Sequence, residues 1–201
     1  MPGHDPATLA FYAAVASDYI ARTSHMTINR DLPAFLDRLQ PGANVLELGC
    51  GSGRDAAYME ARGFLVEPTD GVAEMAALAE ARLGRPVRRL RFEDLEAVAA
   101  YDAVYASYSL LHVPRQGLGD VLHRICTALK PGGWHMATYK SGGIEGRDGL
   151  GRYFNYLSRE QAADFYARFG HWQGVGLTEG IGGGYDDRPS SWVNVIAQKA
   201  L

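Results

Sequence analysis

Three glycines at alternate positions, Gly49, Gly51 and Gly53, follow a short apolar run and carry acids on both flanks, Glu47 before and Asp55 after. Alternate glycines let the backbone turn tightly and let a ligand approach it with no Cβ in the way. A helix starting just beyond would add free amides and the positive end of its dipole. A dinucleotide fingerprint needs a further glycine where this chain has Arg54. Glu47 would repel a pyrophosphate but stabilise an ammonium or a sulfonium, directly or through water, and Asp55 points the same way. Asp70, about 20 residues on, is placed to accept from both hydroxyls of a ribose. Capping the next helix is its competing role, and the two are compatible.

Other residues have weaker signals. Asp94 could accept from an adenine amino group while Leu95 packs on the ring, with Glu93 adding polarity; a solvated loop is the alternative. His112 and Tyr139 are candidates to remove or orient a proton on a second substrate, although a hydrogen-bonding support role fits His112 equally. Tyr12 and Tyr19 share a helix face and either close over the ligand or simply pack. Lys140, Arg147, Arg152, Arg188 and Trp192 form a cationic and aromatic set suited to an anionic or planar molecule. The nearby Glu145, Asp148, Asp186 and Asp187 favour a solvated, mixed-charge loop instead. Cys50 lacks a basic neighbour in sequence that would lower its pKa, and Cys126 falls on an apolar stripe, so both read as packing residues.

The elements positioning these groups alternate. Short β-branched runs are followed by stretches of helical spacing, as in parallel strands joined by crossover helices. Tyr12, Val15, Ala16 and Tyr19 repeat at helical spacing, as do Leu32, Phe35, Leu36 and Leu39. Strands are expected at 44–48, 64–69, 87–92, 102–107 and 134–139. Helices are expected at about 54–62, from Val72 to about Gly84, and from Leu118 to a stop at Pro131-Gly132-Gly133. Ser158 with Gln161 forms a capping box for a last helix ending at Gly170. Two final strands, about 173–179 and 192–198, have too short a connection for a helix and should pair antiparallel. The glycine-rich stretch 141–151 should be a mobile loop above the strand ends, where open parallel sheets bind ligands. The expected organisation is one domain over 1–201: a helical cap (1–40), a ligand-binding core (41–140), and a lid loop, last helix and closing hairpin (141–201).

These motifs together resemble the class I S-adenosylmethionine-dependent methyltransferases, and within them the small bacterial tellurite-resistance-type and generic small-molecule enzymes. ELGCGSG (Glu47 to Gly53) is similar to the family's first motif. PTDGVAEM supplies Asp70 with Gly71 and Met75, and RFEDL (Arg91 to Leu95) matches the adenine-side segment. YDAVYASYSLLHVP contains Ser107 and His112 in the fourth strand and its loop, and LKPGG matches the turn into the fifth strand. The resemblance runs from about Tyr12 to the C-terminus. It implies a Rossmann-like, doubly wound, mostly parallel seven-stranded sheet with a C-terminal antiparallel hairpin. It also implies S-adenosylmethionine as cofactor, S-adenosylhomocysteine as product, and direct in-line methyl transfer to a small molecule.

Composition narrows the field. With 201 residues, 47% hydrophobic and 21% charged, the chain can build a core without staples. Two cysteines exclude a disulfide scaffold and a four-thiolate zinc site, so no metal is expected. A net charge of −3 gives no basic excess for a nucleic acid. The Asn-Pro-Pro-Tyr type of motif found in amino-group nucleic-acid methyltransferases is replaced here by Ala106-Ser107-Tyr108-Ser109. No apolar run approaches a membrane span, and the start of the chain lacks a secretory pattern. A cytoplasmic monomer or homodimer is expected. The competing functions are a non-catalytic module that binds the same cofactor and a nucleotide-dependent oxidoreductase.

Overall fold

The computed structural model describes residues 3–23, 25–182 and 189–201. Its first strand, β1 (Asn44–Leu48), is buried on both faces, as a central parallel strand must be. Val45 enters one apolar cluster with Phe35, Met59 and Tyr105, while Leu46 and Leu48 enter another with Leu110, Leu118 and Leu122. The period of two therefore places Glu47 on the Val45 face.

β1 is flanked by β2 (Leu65–Asp70) and β4 (Tyr101–Ser107), both parallel to it. β3 is Arg88–Arg89, β5 is Leu129–Ser141, β8 is Trp172–Gly182 and β9 is Ser190–Lys199. The seven-stranded order is β3-β2-β1-β4-β5-β9-β8, with β9 antiparallel to both β5 and β8. The expected closing hairpin is thus present, and it is longer than its alternation indicated. The strand order reverses between β1 and β4, which opens the crevice where ligands of such sheets bind.

Helices α3 (Arg54–Ala61), α4 (Ala73–Leu83) and α5 (Arg115–Ala128) follow β1, β2 and β4 in turn, and α6 (Arg159–Arg168) precedes the hairpin. Ser158 and Gln161 form the expected capping box at α6. At the N-terminus, α1 (Pro6–Thr23) packs Tyr12, Ala16 and Tyr19 against Val72 and Met75 at the start of α4. The short α2 (Leu32–Leu36) seals the Val45 side of the sheet.

Three boundaries differ from those expected. The third strand shrinks to two paired residues on the sheet edge, where the preceding Pro86 has no N–H to donate. Leu90 N still reaches Asp70 O at 2.9 Å. Pro131-Gly132-Gly133 does not stop α5, which already ends at Ala128. Leu129 pairs with Tyr101 and Trp134 with Ala103, so the intervening residues bulge from β5, with Gly132 at φ +74°. The stretch expected as a loop, 141–151, contains β6 (Gly146–Arg147), which pairs with β7 (Tyr153–Phe154) just beyond it in a two-stranded hairpin.

Candidate functional site

A cavity of about 240 Å³ occupies the crevice. One end is made by the glycine turn. Gly49 has φ +78°, and a Cβ there would lie 2.5 Å from Cβ of Ser109, so glycine is needed for both conformation and space. Gly51, at φ +54°, has nothing within 4 Å of such a Cβ: its bare face opens on empty space. Gly53 precedes α3, also in the left-handed region, against Leu83. Thr69 O accepts from both Gly49 N and Cys50 N, which holds the turn against the end of β2.

Three buried carboxylates face this end. Asp70 Oδ2 accepts from Gly51 N at 3.0 Å and Oδ1 from Val72 N at 2.9 Å, so it braces the turn and the start of α4 together. Burial pushes its pKa up to about 6, against the lowering effect of those backbone bonds. Asp55 accepts from Tyr105 Oη at 2.7 Å and from Arg54 Nε at 3.0 Å. Glu47 is different: its buried Oε2 has no hydrogen-bond partner among the described residues. Burial, then the neighbouring Asp55 charge, raise its pKa well above the usual carboxylate range. An unpartnered buried carboxylate is costly, and a positively charged ligand would relieve that cost. Cys50 lies among Ala76, Ala79 and Val87, where burial raises its thiol pKa further; Cys126 is buried as well.

The opposite end is assembled from distant segments. His112 sits in a single 3₁₀ turn, Leu110–His112, after β4. Its Nδ1 lies 2.6 Å from Tyr153 O, which can only accept, so Nδ1 carries the proton. Nε2 is then the acceptor, and Tyr12 Oη donates to it at 3.0 Å. Tyr12 Oη accepts in turn from Arg152 Nη1 at 3.2 Å, and Arg152 is held by Asp148 through Nε and Nη2. Burial lowers the His112 pKa to about 4, and the Arg152 and Lys140 charges add to that, against the Tyr153 bond. Lys140 Nζ and Arg152 Cζ lie 4.8 and 5.2 Å from the centre of the Phe154 ring. The buried Asn155 clamps the turn: its N donates to Leu111 O, and its Nδ2 to Leu110 O and Val113 O.

Glu47, Gly49, Gly51, Asp55, Asp70, Gly71, Met75, Ser107, Tyr12, Tyr19 and His112 all line this cavity. Tyr139 does not. It points to the α5 and α6 side of the sheet, where its hydroxyl meets Tyr166 Oη at 3.2 Å. Tyr166 Oη in turn meets His135 Nε2 at 2.8 Å, so the group is fully paired in the core and cannot meet a substrate. Lys140, one residue on, is the side chain of β5 that lines the cavity. The adenine-side expectation also shifts. Leu95 is buried in the core against α5, Asp94 is exposed, and Glu93 does not itself line the cavity but pairs with His4, which does. Leu90, Arg91 and Phe92 line it instead. Arg147 pairs with Asp5, and Trp192 is buried beneath Gly180. Arg188, Asp186 and Asp187 lie outside the described residues. Sequence reasoning missed Asn155; a lone polar residue in the run Tyr153-Phe154-Asn155-Tyr156-Leu157 was the signal for a buried hydrogen-bonding role.

The profile of a family described as a methyltransferase domain matches residues 20–170. No curated protein matches the chain. Among solved structures, it is similar to the 1,6-didemethyltoxoflavin-N1-methyltransferase of Burkholderia thailandensis, solved with 1,6-didemethyltoxoflavin and S-adenosylhomocysteine. That match has 20% identity and a TM-score of 0.74, covering 100% of this chain and 94% of the other. A phosphoethanolamine N-methyltransferase 2 of Haemonchus contortus, solved with phosphomonomethylethanolamine and S-adenosylhomocysteine, matches at 16% identity and TM-score 0.76 over 94% of this chain and 58% of its own. TehB of Haemophilus influenzae matches at 14% identity and TM-score 0.69, over 92% and 67%. At these identities the structural likenesses speak for the fold.

Proposed function

The chain belongs to the methyltransferase-domain family, and from that premise we propose that it transfers a methyl group from S-adenosylmethionine to a small molecule. The observation that carries the cofactor assignment is the unpartnered Glu47 Oε2 beside the bare face of Gly51. A buried carboxyl group with an unsatisfied oxygen beside an open backbone turn suits a cationic ligand, whose charge would favour its ionised form, and offers a pyrophosphate no partner. When bound, S-adenosylmethionine supplies an electrophilic methyl carbon on a sulfonium; the protein supplies place and charge.

Asp70 holds the ribose hydroxyls through the lone pairs left after its two backbone bonds. Asp55, with Glu47 ionising against the incoming cation, would give the methionine side its negative potential. Leu90 and Phe92, which line the cavity where Asp94 and Leu95 do not, would hold the adenine. At the far end Tyr12 and His112 act as a hydrogen-bonded pair that orients the acceptor. Ser107, held by Asn29 Nδ2 at 3.0 Å, marks the β4 side of the meeting point. The roof formed by α1 and the β6–β7 hairpin excludes water. Two free, buried cysteines support a reducing, cytoplasmic setting.

Isothermal titration calorimetry tests the assignment. S-adenosylmethionine and S-adenosylhomocysteine are both expected to bind, and NADH is not. Silence from both sulfur compounds at millimolar concentration, or tight NADH binding, would sink it.

A further inference from the structure

Resting on the S-adenosylmethionine reading, we propose that His4, aimed by Glu93, reads the amino edge of the adenine. The residues at that end follow one another along the cavity. Gly71 comes directly after the ribose carboxylate Asp70, and a Cβ on it would meet Leu9 Cδ2 and Leu90 O at 3.7 Å and Arg91 Cγ at 3.8 Å. Phe92 and Glu93 are the next residues of the chain, and the His4 ring is bonded through Nδ1 to the Glu93 carboxylate. Leu9, Leu90, Phe92 and His4 all line the cavity. A base held by Leu90 and Phe92, with its sugar at Asp70, carries its far edge toward His4.

The hydrogen-bonding roles follow from the partner. A carboxylate only accepts, so Nδ1 of His4 carries the proton and Nε2 is left as an acceptor. Nε2 makes no hydrogen bond among the described residues. The ring nitrogens of adenine accept, and its one N–H donor is the amino group. An acceptor on the cavity wall at that edge can therefore pair with the amino group and with no other part of the base.

The segment that carries His4 is fixed on both sides. Gly3 has no side chain, and a Cβ there would lie 2.9 Å from Glu93 Oε2 and 3.1 Å from Val121 Cγ2, so the chain can pass close against Glu93 and α5. Asp5 Oδ1 accepts from Thr8 N at 2.8 Å in the first turn of α1, and the same carboxylate holds Arg147 of the hairpin. Glu93 is not a freely solvated loop acid. Its Oε2 is buried without a partner, a costly arrangement that an unconstrained side chain would escape by rotating into water.

The test compares, by calorimetry at pH 8, S-adenosylhomocysteine with its analogue carrying purine in place of adenine, which lacks only the amino group. The unaltered protein is expected to bind S-adenosylhomocysteine about fivefold tighter, the scale of one hydrogen bond. His4→Phe and His4→Leu should each abolish that preference. Glu93→Ala should reduce it, because the ring is then no longer held. A segment that merely pinned the roof of the cavity would weaken both ligands equally and leave their ratio where it was. No preference in the unaltered protein, or a preference that keeps its size in His4→Phe, His4→Leu or Glu93→Ala, would overturn the proposal with the cofactor reading intact. Failure of both ligands to bind the unaltered protein would remove the cofactor reading and the role of His4 with it.

Discussion

The two ends of the cavity are built by different means. The glycine-turn end comes from contiguous sequence: β1, the turn, the start of α3 and the end of β2, tied by backbone bonds to Thr69 O and the Asp70 carboxylate. The far end collects Tyr12, His112, Lys140, Arg152 and Asn155 from four segments, and side chains do the tying. A backbone-built end serves a ligand common to many proteins of a fold, while a side-chain-built end can change its acceptor without disturbing the sheet.

The sharpest way to break this contrast is Gly51→Val. A branched side chain at φ +54° would fill the open face, so S-adenosylmethionine binding should vanish while circular dichroism and cooperative melting persist. Retained binding would mean that the ligand does not approach this backbone. Next in size is Asp70→Ala, expected to weaken the cofactor by about 1–3 kcal/mol in calorimetry; an unchanged dissociation constant would place the ribose elsewhere. Asn155→Ala probes the other end. It strips Leu110 O and Val113 O of a buried donor, so denaturant melts should show a loss of about 1–3 kcal/mol. Affinity for S-adenosylhomocysteine should hold, and a matching drop in it would show that the two ends are not separable.

The smallest effect is a pH slope. His112 and His135 are both pushed down to about 4 by burial. Their stabilising contribution is complete above the unfolded value near 6.5 and is lost as pH falls toward 4. Asp70, raised from 3.8 to about 6, acts in the opposite sense: the folded protein loses stability as pH rises through that interval. Asp70→Asn removes the opposing slope, so its melting temperature should fall more steeply than that of the unaltered protein between pH 6.5 and 4. Parallel curves would mean that Asp70 is not raised.

The same contrast explains what could be read from the chain. Asn44–Leu48 and the glycine turn were legible because one buried strand, one tight turn and one helix start leave a local signature. The third strand was over-extended because propensity continues past Arg89 whereas edge pairing does not. Tyr139 was misplaced by a single step of strand parity. Alternation says that neighbours face opposite ways, but the packing of α5 and α6 decides which of Tyr139 and Lys140 faces the cavity. Asn155 reaches residues 45 and 42 positions away, the Tyr12–His112–Arg152 chain joins residues 100 and 140 positions apart, and no local pattern encodes such pairings.

Arg147 grips Asp5 with two nitrogens, at 2.9 and 2.7 Å, and Thr8 Oγ1 accepts from Tyr153 N. The segment from Asp5 to Thr8 is therefore fastened to the hairpin that covers the cavity. For anyone handling this protein, an affinity tag or reporter fused ahead of Asp5 would press directly on that fastening. The side of Leu201, whose side chain stands in solvent, offers an attachment point remote from it.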